Sequence, residues 1–85
     1  MTFKLLYTKS ALEDVKKLDS VTKKRVKKKV EEYAIHPLAH SKRLTNPAVG
    51  TYRWRVGNYR VIFDLDNANI VVLRIRHRRE IYRKI

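Results

Sequence analysis

Tyr52-Arg53-Trp54-Arg55-Val56-Gly57-Asn58-Tyr59-Arg60-Val61-Ile62-Phe63-Asp64-Leu65 carries two strands and the turn between them. From Thr51 to Val56 the residues alternate, with Tyr52, Trp54 and Val56 on one face and Arg53 and Arg55 on the other. That period of two belongs to a strand buried on one side. Gly57-Asn58 is a two-residue hairpin signal, glycine supplying the positive φ of a type II′ turn. From Tyr59 to Leu65 the residues Tyr59, Val61, Phe63 and Leu65 face one way and Arg60 the other. Asp66-Asn67-Ala68-Asn69 reads as a second turn. Ile70 to Arg76 reads as the last strand, with Val71, Leu73 and Ile75 opposed to Arg74 and Arg76.

The first half reads differently. Phe3 to Thr8 is a short mixed apolar run, expected to form a first strand. Ser10-Ala11-Leu12-Glu13 has the form of a capping box, in which the serine hydroxyl and the glutamate satisfy free N–H groups of a first helical turn. Ala11, Leu12, Val15 and Leu18 follow at helical spacing. Asp19-Ser20 interrupts this helix and caps a second, expected from about Val21 to Ile35. Val26, Val30, Tyr33 and Ala34 form its apolar stripe, and Lys23, Lys24, Arg25, Lys27, Lys28 and Lys29 fill much of the rest. That run reads as a solvated helix face that adds long-range attraction for anions. Pro37 ends the helix. His36 to Pro47 is expected to be a loop anchored by Leu44.

The order is strand, two helices, then a β-meander (β-α-α-β-β-β), an α+β fold. A two-helix hairpin should pack on one face of a twisted, mainly antiparallel sheet, because the apolar stripes have nowhere else to go. Trp54, Val61, Phe63, Val71, Leu73 and Ile75 should be buried beneath it. At 85 residues one domain over residues 1–85 is expected, with a thin core. The chain has no cysteine, so disulfides and thiolate metal sites are out. Met1 to Lys9 contains no long apolar run, and no stretch reaches the roughly 20 apolar residues of a membrane helix. A cytoplasmic protein without a membrane partner is the expectation.

Charge narrows the function. Lys and Arg number 21 against 8 Asp and Glu, a formal net charge of +13, and such an excess attracts polyanions. The strand parities place Arg53, Arg55, Arg60, Arg74, Arg76 and, if the parity persists, Arg78 on the face away from the helices, with Asp64 almost the only acid there. One arginine opposite an apolar strand face is ordinary solvated surface. Six on one small sheet repel one another unless anions lie between them, and the guanidinium fork fits phosphate bidentately.

Several enzyme classes lack their residues. Gly50 and Gly57 are the only glycines, so there is no glycine-rich phosphate loop. His36, His40 and His77 lack the spacing and carboxylate company of a metal site, and His36 and His40 read as loop residues. No metal and no cofactor is expected. Arg, Lys, His77 and tyrosine remain, and they suit RNA cleavage by the substrate's own 2′-hydroxyl. There the protein need only orient the nucleophile, stabilise charge at phosphorus and handle two protons.

Tyr52-Arg53-Trp54-Arg55-Val56-Gly57-Asn58-Tyr59-Arg60-Val61-Ile62-Phe63 resembles the Y-R-x-R-x-G-x-Y-R-x-x-Y core of RelE-type toxins in the RelE/ParE superfamily. Arg76-His77-Arg78-Arg79-Glu80-Ile81-Tyr82 is similar to their closing motif, and Lys9-Ser10-Ala11-Leu12-Glu13-Asp14-Val15 to their first-helix entry. The resemblance spans nearly the whole chain. It implies a type II toxin that cleaves messenger RNA on the ribosome, contacting ribosomal RNA, and is neutralised by a cognate acidic antitoxin. Arg53 and Arg55 match paired basic positions that are often lysine in the best-studied branch, so charge is kept but a lysine's capacity as a base is not. Arg60 matches the arginine expected to hold the scissile phosphate, and Arg78 the one expected to stabilise the transition state. Tyr82 matches the tyrosine that orients or deprotonates the 2′-hydroxyl, although the segment between Arg78 and Tyr82 is two residues shorter than in some members. Arg74, Arg76 and His77 are expected to contact RNA. His77 stands where some relatives keep a catalytic histidine, yet its parity points to the core, so a structural role stays equally open.

Two other readings share the basic surface. ParE-type members of the superfamily inhibit DNA gyrase, and a non-enzymatic RNA-binding or ribosomal protein would leave the closing motif idle.

Overall fold

The computed structural model describes residues 2–45 and 50–80. Strand β1 (Lys4–Tyr7) leads into helices α1 (Lys9–Lys16) and α2 (Ser20–Tyr33), followed by β2 (Ser41–Arg43), β3 (Tyr52–Val56), β4 (Tyr59–Asp66) and β5 (Asn69–His77). The five strands form one sheet in the order β1-β5-β4-β3-β2. β1 pairs parallel with β5, and the other neighbours are antiparallel. Among the described residues no helix is long and apolar enough to cross a membrane.

The helix starts follow from side-chain oxygens. Thr8, not Ser10, caps α1: its hydroxyl accepts from Ala11 N at 3.1 Å and donates to Leu73 O at 3.0 Å. Thr8 directly follows the first strand, so one hydroxyl both starts the helix and ties it to β5. Asp19 caps α2, accepting from Thr22 N at 3.3 Å. Those hydrogen bonds, the Thr22 side chain's first among them, hold the Asp19 carboxyl below its usual range. β2 arises inside the expected loop, where Ser41, Lys42 and Arg43 pair with Trp54, Arg53 and Tyr52. Three residues without a clear alternation carry no strand signal of their own. They become one because β3 would otherwise present an unpaired edge. Pro47, the end of the expected loop, lies outside the described residues.

The core sits between helices and sheet. Ala11, Val26, Val30 and Ala34 meet Trp54, Val56, Val61, Phe63, Ile70, Val72 and Ile75. Trp54 is fully buried, packs on Phe63 with ring centroids 4.0 Å apart, and donates its indole N–H to Pro37 O at 2.9 Å. That bond removes the cost of burying the indole's one polar group.

The expected parity of β5 holds for Ile75 but not for Val71 and Leu73. Val71 and Leu73 lie half-buried on the far side, and Ile70 and Val72 fill the core instead. The cause is a bulge. Ile62 pairs with Arg74 and Phe63 with Val72, leaving Leu73 as the extra residue. One added residue reverses which side chains face inward. The far face is also not fully open, since Ile62 is fully buried there. Gly50, at φ +148, comes so close that a Cβ would collide with the Ile62 side chain and press tightly on that of Leu73. Glycine is required at that position twice over, for its backbone angle and for the close approach.

Candidate functional site

The far face of the sheet carries cations in register. Arg55 lies directly across from Arg60, and Arg60 directly across from Arg76, so one row of arginines crosses β3, β4 and β5. The next row runs Lys42, Arg53, Ile62 and Arg74. Directly opposed like charges, with Cβ atoms about 5 Å apart, destabilise a sheet. The chain relieves part of this. Arg60, only 7% exposed, turns its Nη1 back to Gly57 O at 3.2 Å and Tyr59 O at 3.0 Å. Arg76 pairs with Glu80 at 3.1 Å. Among the described residues Arg53 and Arg55 have no carboxylate within ion-pair distance.

Arg74 is used differently. Its Nε and Nη2 each donate at 2.9 Å to Asp14 on α1, and Asp14 also accepts from Ile75 N at 3.0 Å. β1 stops pairing at Tyr7 opposite Val72, so beyond that point β5 has no neighbouring strand on this side. The Asp14 carboxylate, 5% exposed, supplies the missing acceptor. Arg74 is therefore committed to holding α1 against β5, with the Asp14 hydrogen bond raising its already high pKa. Asp14 is not legible as functional from sequence, because an acid within an amphipathic helix looks like solvated surface until the end of β1 is known.

The closing motif wraps the end of the hairpin. Arg78 is exposed, and its N–H donates to Asn58 O at 2.7 Å. His77 pairs with Tyr59, so it stands on the helix side of the sheet, its ring edge-on to Tyr59 at 5.5 Å. Its Nδ1 accepts from Arg79 N at 3.2 Å, which leaves the ring proton of the neutral form on Nε2. Thus Arg55, Arg60, Arg76 and the turn bonded to Arg78 come together, with Arg53 one row away, while His77 and the Asp14-bound head of Arg74 do not share that row. Tyr82 lies outside the described residues. No group of three or more His, Cys, Asp or Glu side chains suited to a metal occurs among the described residues. The arrangement can hold phosphate and oppose negative charge developing on it.

Residues 5–82 match the ParE toxin of type II toxin-antitoxin systems, parDE. The chain belongs to the ParE toxin family. Within the RelE/ParE superfamily, this ParE-family toxin is 32% identical to Toxin RelG of Mycobacterium tuberculosis over 91 residues, covering 99% of this chain and 100% of RelG. It is 30% identical to Toxin RelE3 of Methanocaldococcus jannaschii over 83 residues, covering 93% and 94%. The toxin–antitoxin complex RelBE2 of M. tuberculosis contains a chain that superposes with a TM-score of 0.82 at 26% identity, covering 91% of this chain and 99% of that one. Two helices on a five-stranded mixed sheet are thus the RelE toxin fold, and this chain is a type II toxin.

Proposed function

We propose that this toxin is a ribosome-dependent endoribonuclease that cleaves messenger RNA through attack of the 2′-hydroxyl on the adjacent phosphate. The observation that carries the reading is the Arg55–Arg60–Arg76 row. It concentrates guanidinium groups where a phosphate would neutralise them. Arg60 and Arg78 bracket the scissile phosphate, Arg53 and Arg55 hold the strand beside it, and Arg76 borders it with Glu80 as its counter-ion. Tyr82 aligns the 2′-hydroxyl. The new bond joins the 2′-oxygen to phosphorus, the bond to the 5′-oxygen breaks, and the proton lost by the 2′-hydroxyl is balanced by one gained at the leaving oxygen. The relatives named RelG and RelE3 support a RelE-type activity. Solved relatives sit in complexes with RelB antitoxins, and a cognate acidic antitoxin is proposed to neutralise this toxin by docking on its basic surface. Such docking weakens as salt rises.

Incubation with translating ribosomes and mapping of RNA ends tests the reading. Cuts within codons bearing a 2′,3′-cyclic phosphate and a 5′-hydroxyl are expected. A 5′-phosphate and 3′-hydroxyl would mean that water was the nucleophile, and the mechanism would be wrong. The match to the ParE family favours one rival, gyrase inhibition; gyrase-dependent DNA breaks without RNA cleavage would establish it. Ribosome binding with neither product would indicate a non-enzymatic RNA binder.

A further inference from the structure

The basic run of α2 is mostly solvated, but Arg25 has a seat. Its guanidinium lies against the β3–β4 turn, where a Cβ at Gly57 would stand 2.7 Å from Nη2, 3.0 Å from Cζ and 3.3 Å from Nη1. The guanidinium therefore occupies space that a side chain would need. Gly57, at φ +57, leaves it clear. The arginine is exposed, and among the described residues no carboxylate pairs with it. The Gly57 carbonyl accepts from Arg60, and Arg55 stands across from Arg60. The other turn residue, Asn58, is bound by the Arg78 N–H. The guanidiniums of Arg25 and Arg60 thus meet at one two-residue turn, with Arg55 across from Arg60 and the Arg78 backbone bound to Asn58. Glu80, the acid nearest in sequence to Arg78, is engaged by Arg76.

We propose that the Gly57 turn is a second phosphate site, in which Arg25 holds an RNA backbone phosphate next to the one on the Arg55–Arg60–Arg76 row. The proposal rests on the RNA-binding reading above. A single carboxylate could neutralise Arg25 alone. The cations, however, stand on both sides of the hairpin end, Arg25 from the helices and Arg55 from the far face. A ligand satisfying both must carry several negative charges along a chain that crosses the turn, as a nucleic acid backbone does. Arg25 then fixes the path of the strand, whereas the far-face row holds the reacting group.

The test uses the full chain and an RNA oligonucleotide made uncleavable by 2′-O-methylation, with affinity measured across a salt series. Arg25→Ala should lower the slope of log affinity against log salt by about 0.7, the value for one phosphate contact on a single strand. Arg25→Lys should restore that slope, and Lys28→Ala, from the same helix but without a seat on the turn, should change it by less than half as much. Thermal melting confirms that the variants fold. If Arg25→Ala keeps the wild-type slope, or if Lys28→Ala lowers it equally, the proposal is overturned. A loss confined to a polyglutamate probe would assign the seat to an acidic protein and also overturn it. Cleavage on translating ribosomes is read in parallel with wild type. Its absence would sink the endonuclease reading, while the salt slopes still decide Arg25.

Discussion

The two ends of the sheet's far face are built from the same alternation and reach opposite outcomes. At one end Ile62 and Leu73 lie under Gly50, and Asp64 accepts from Thr51 N at 2.7 Å. That end is closed by chain. At the other end Arg55, Arg60 and Arg76 stand in register, Arg55 exposed, Arg76 half-buried and Arg60 turned back onto the hairpin turn. The contrast separates two uses of the face. Apolar residues there are consumed in packing, which stabilises the fold. Arginines there are only partly relieved of their mutual repulsion, Arg60 by carbonyls of its own turn and Arg76 by Glu80.

Substitutions should split along the same line. The largest effects are expected at the cationic end, on activity. Arg60→Ala and Arg78→Ala should reduce cleavage on translating ribosomes by about 10²–10³, with ribosome binding weakened less. Tyr82→Phe keeps the ring and removes the hydroxyl; a fall of about 10²–10⁴ in the single-turnover rate fits proton handling. Equal losses of binding and cleavage for Arg60→Ala would erase the distinction between the two ends. At the closed end, Ile62→Ala should cost stability, about 2–5 kcal/mol in denaturant unfolding. Arg55→Ala should stay within about 0.5 kcal/mol of wild type in the same assay.

A smaller effect sharpens the boundary between them. Asp14→Ala leaves the Ile75 N–H and the Arg74 head without their acceptor and should destabilise by about 1–3 kcal/mol. Hydrogen exchange should quicken at Ile75 before it does at Ile70, which β1 covers. Uniform quickening along β5 would show that α1 is not what holds its second half. The smallest effect concerns acid. The Asp19 carboxyl is held below its unfolded pKa, so its contribution is present above the unfolded value and is lost as pH falls through the folded one. Asp19→Asn keeps a capping oxygen without the charge. Its stability deficit against wild type should shrink as pH drops below about 4, and a deficit constant with pH would remove the charge from the account.

The β3–β4 hairpin is legible in the sequence alone. The alternation in Tyr52–Val56 and Tyr59–Leu65 puts Trp54, Val61 and Phe63 in the core and Arg53, Arg55 and Arg60 opposite, as found. Local rules suffice there, because a two-residue turn joins the strands and leaves little freedom of register. β5 is harder. Its alternation is equally clear, yet Leu73 bulges, and Ile70 and Val72 take the inner places that the pattern assigns to Val71 and Leu73. A bulge answers to the partner strand, which a single strand's pattern does not contain.

By itself, then, the order of residues determined the helices and the main strands, the hairpin register and the excess of positive charge, all of which arise from neighbours along the chain. Tertiary structure alone decided that Arg74 would be spent on Asp14 and that Arg25 would rest on Gly57. Each joins groups from different elements, and β5's need for an acceptor at Ile75 appears only once β1 has stopped short beside it. A side chain's charge is inscribed in its type, but what it faces depends on where the rest of the chain comes to lie.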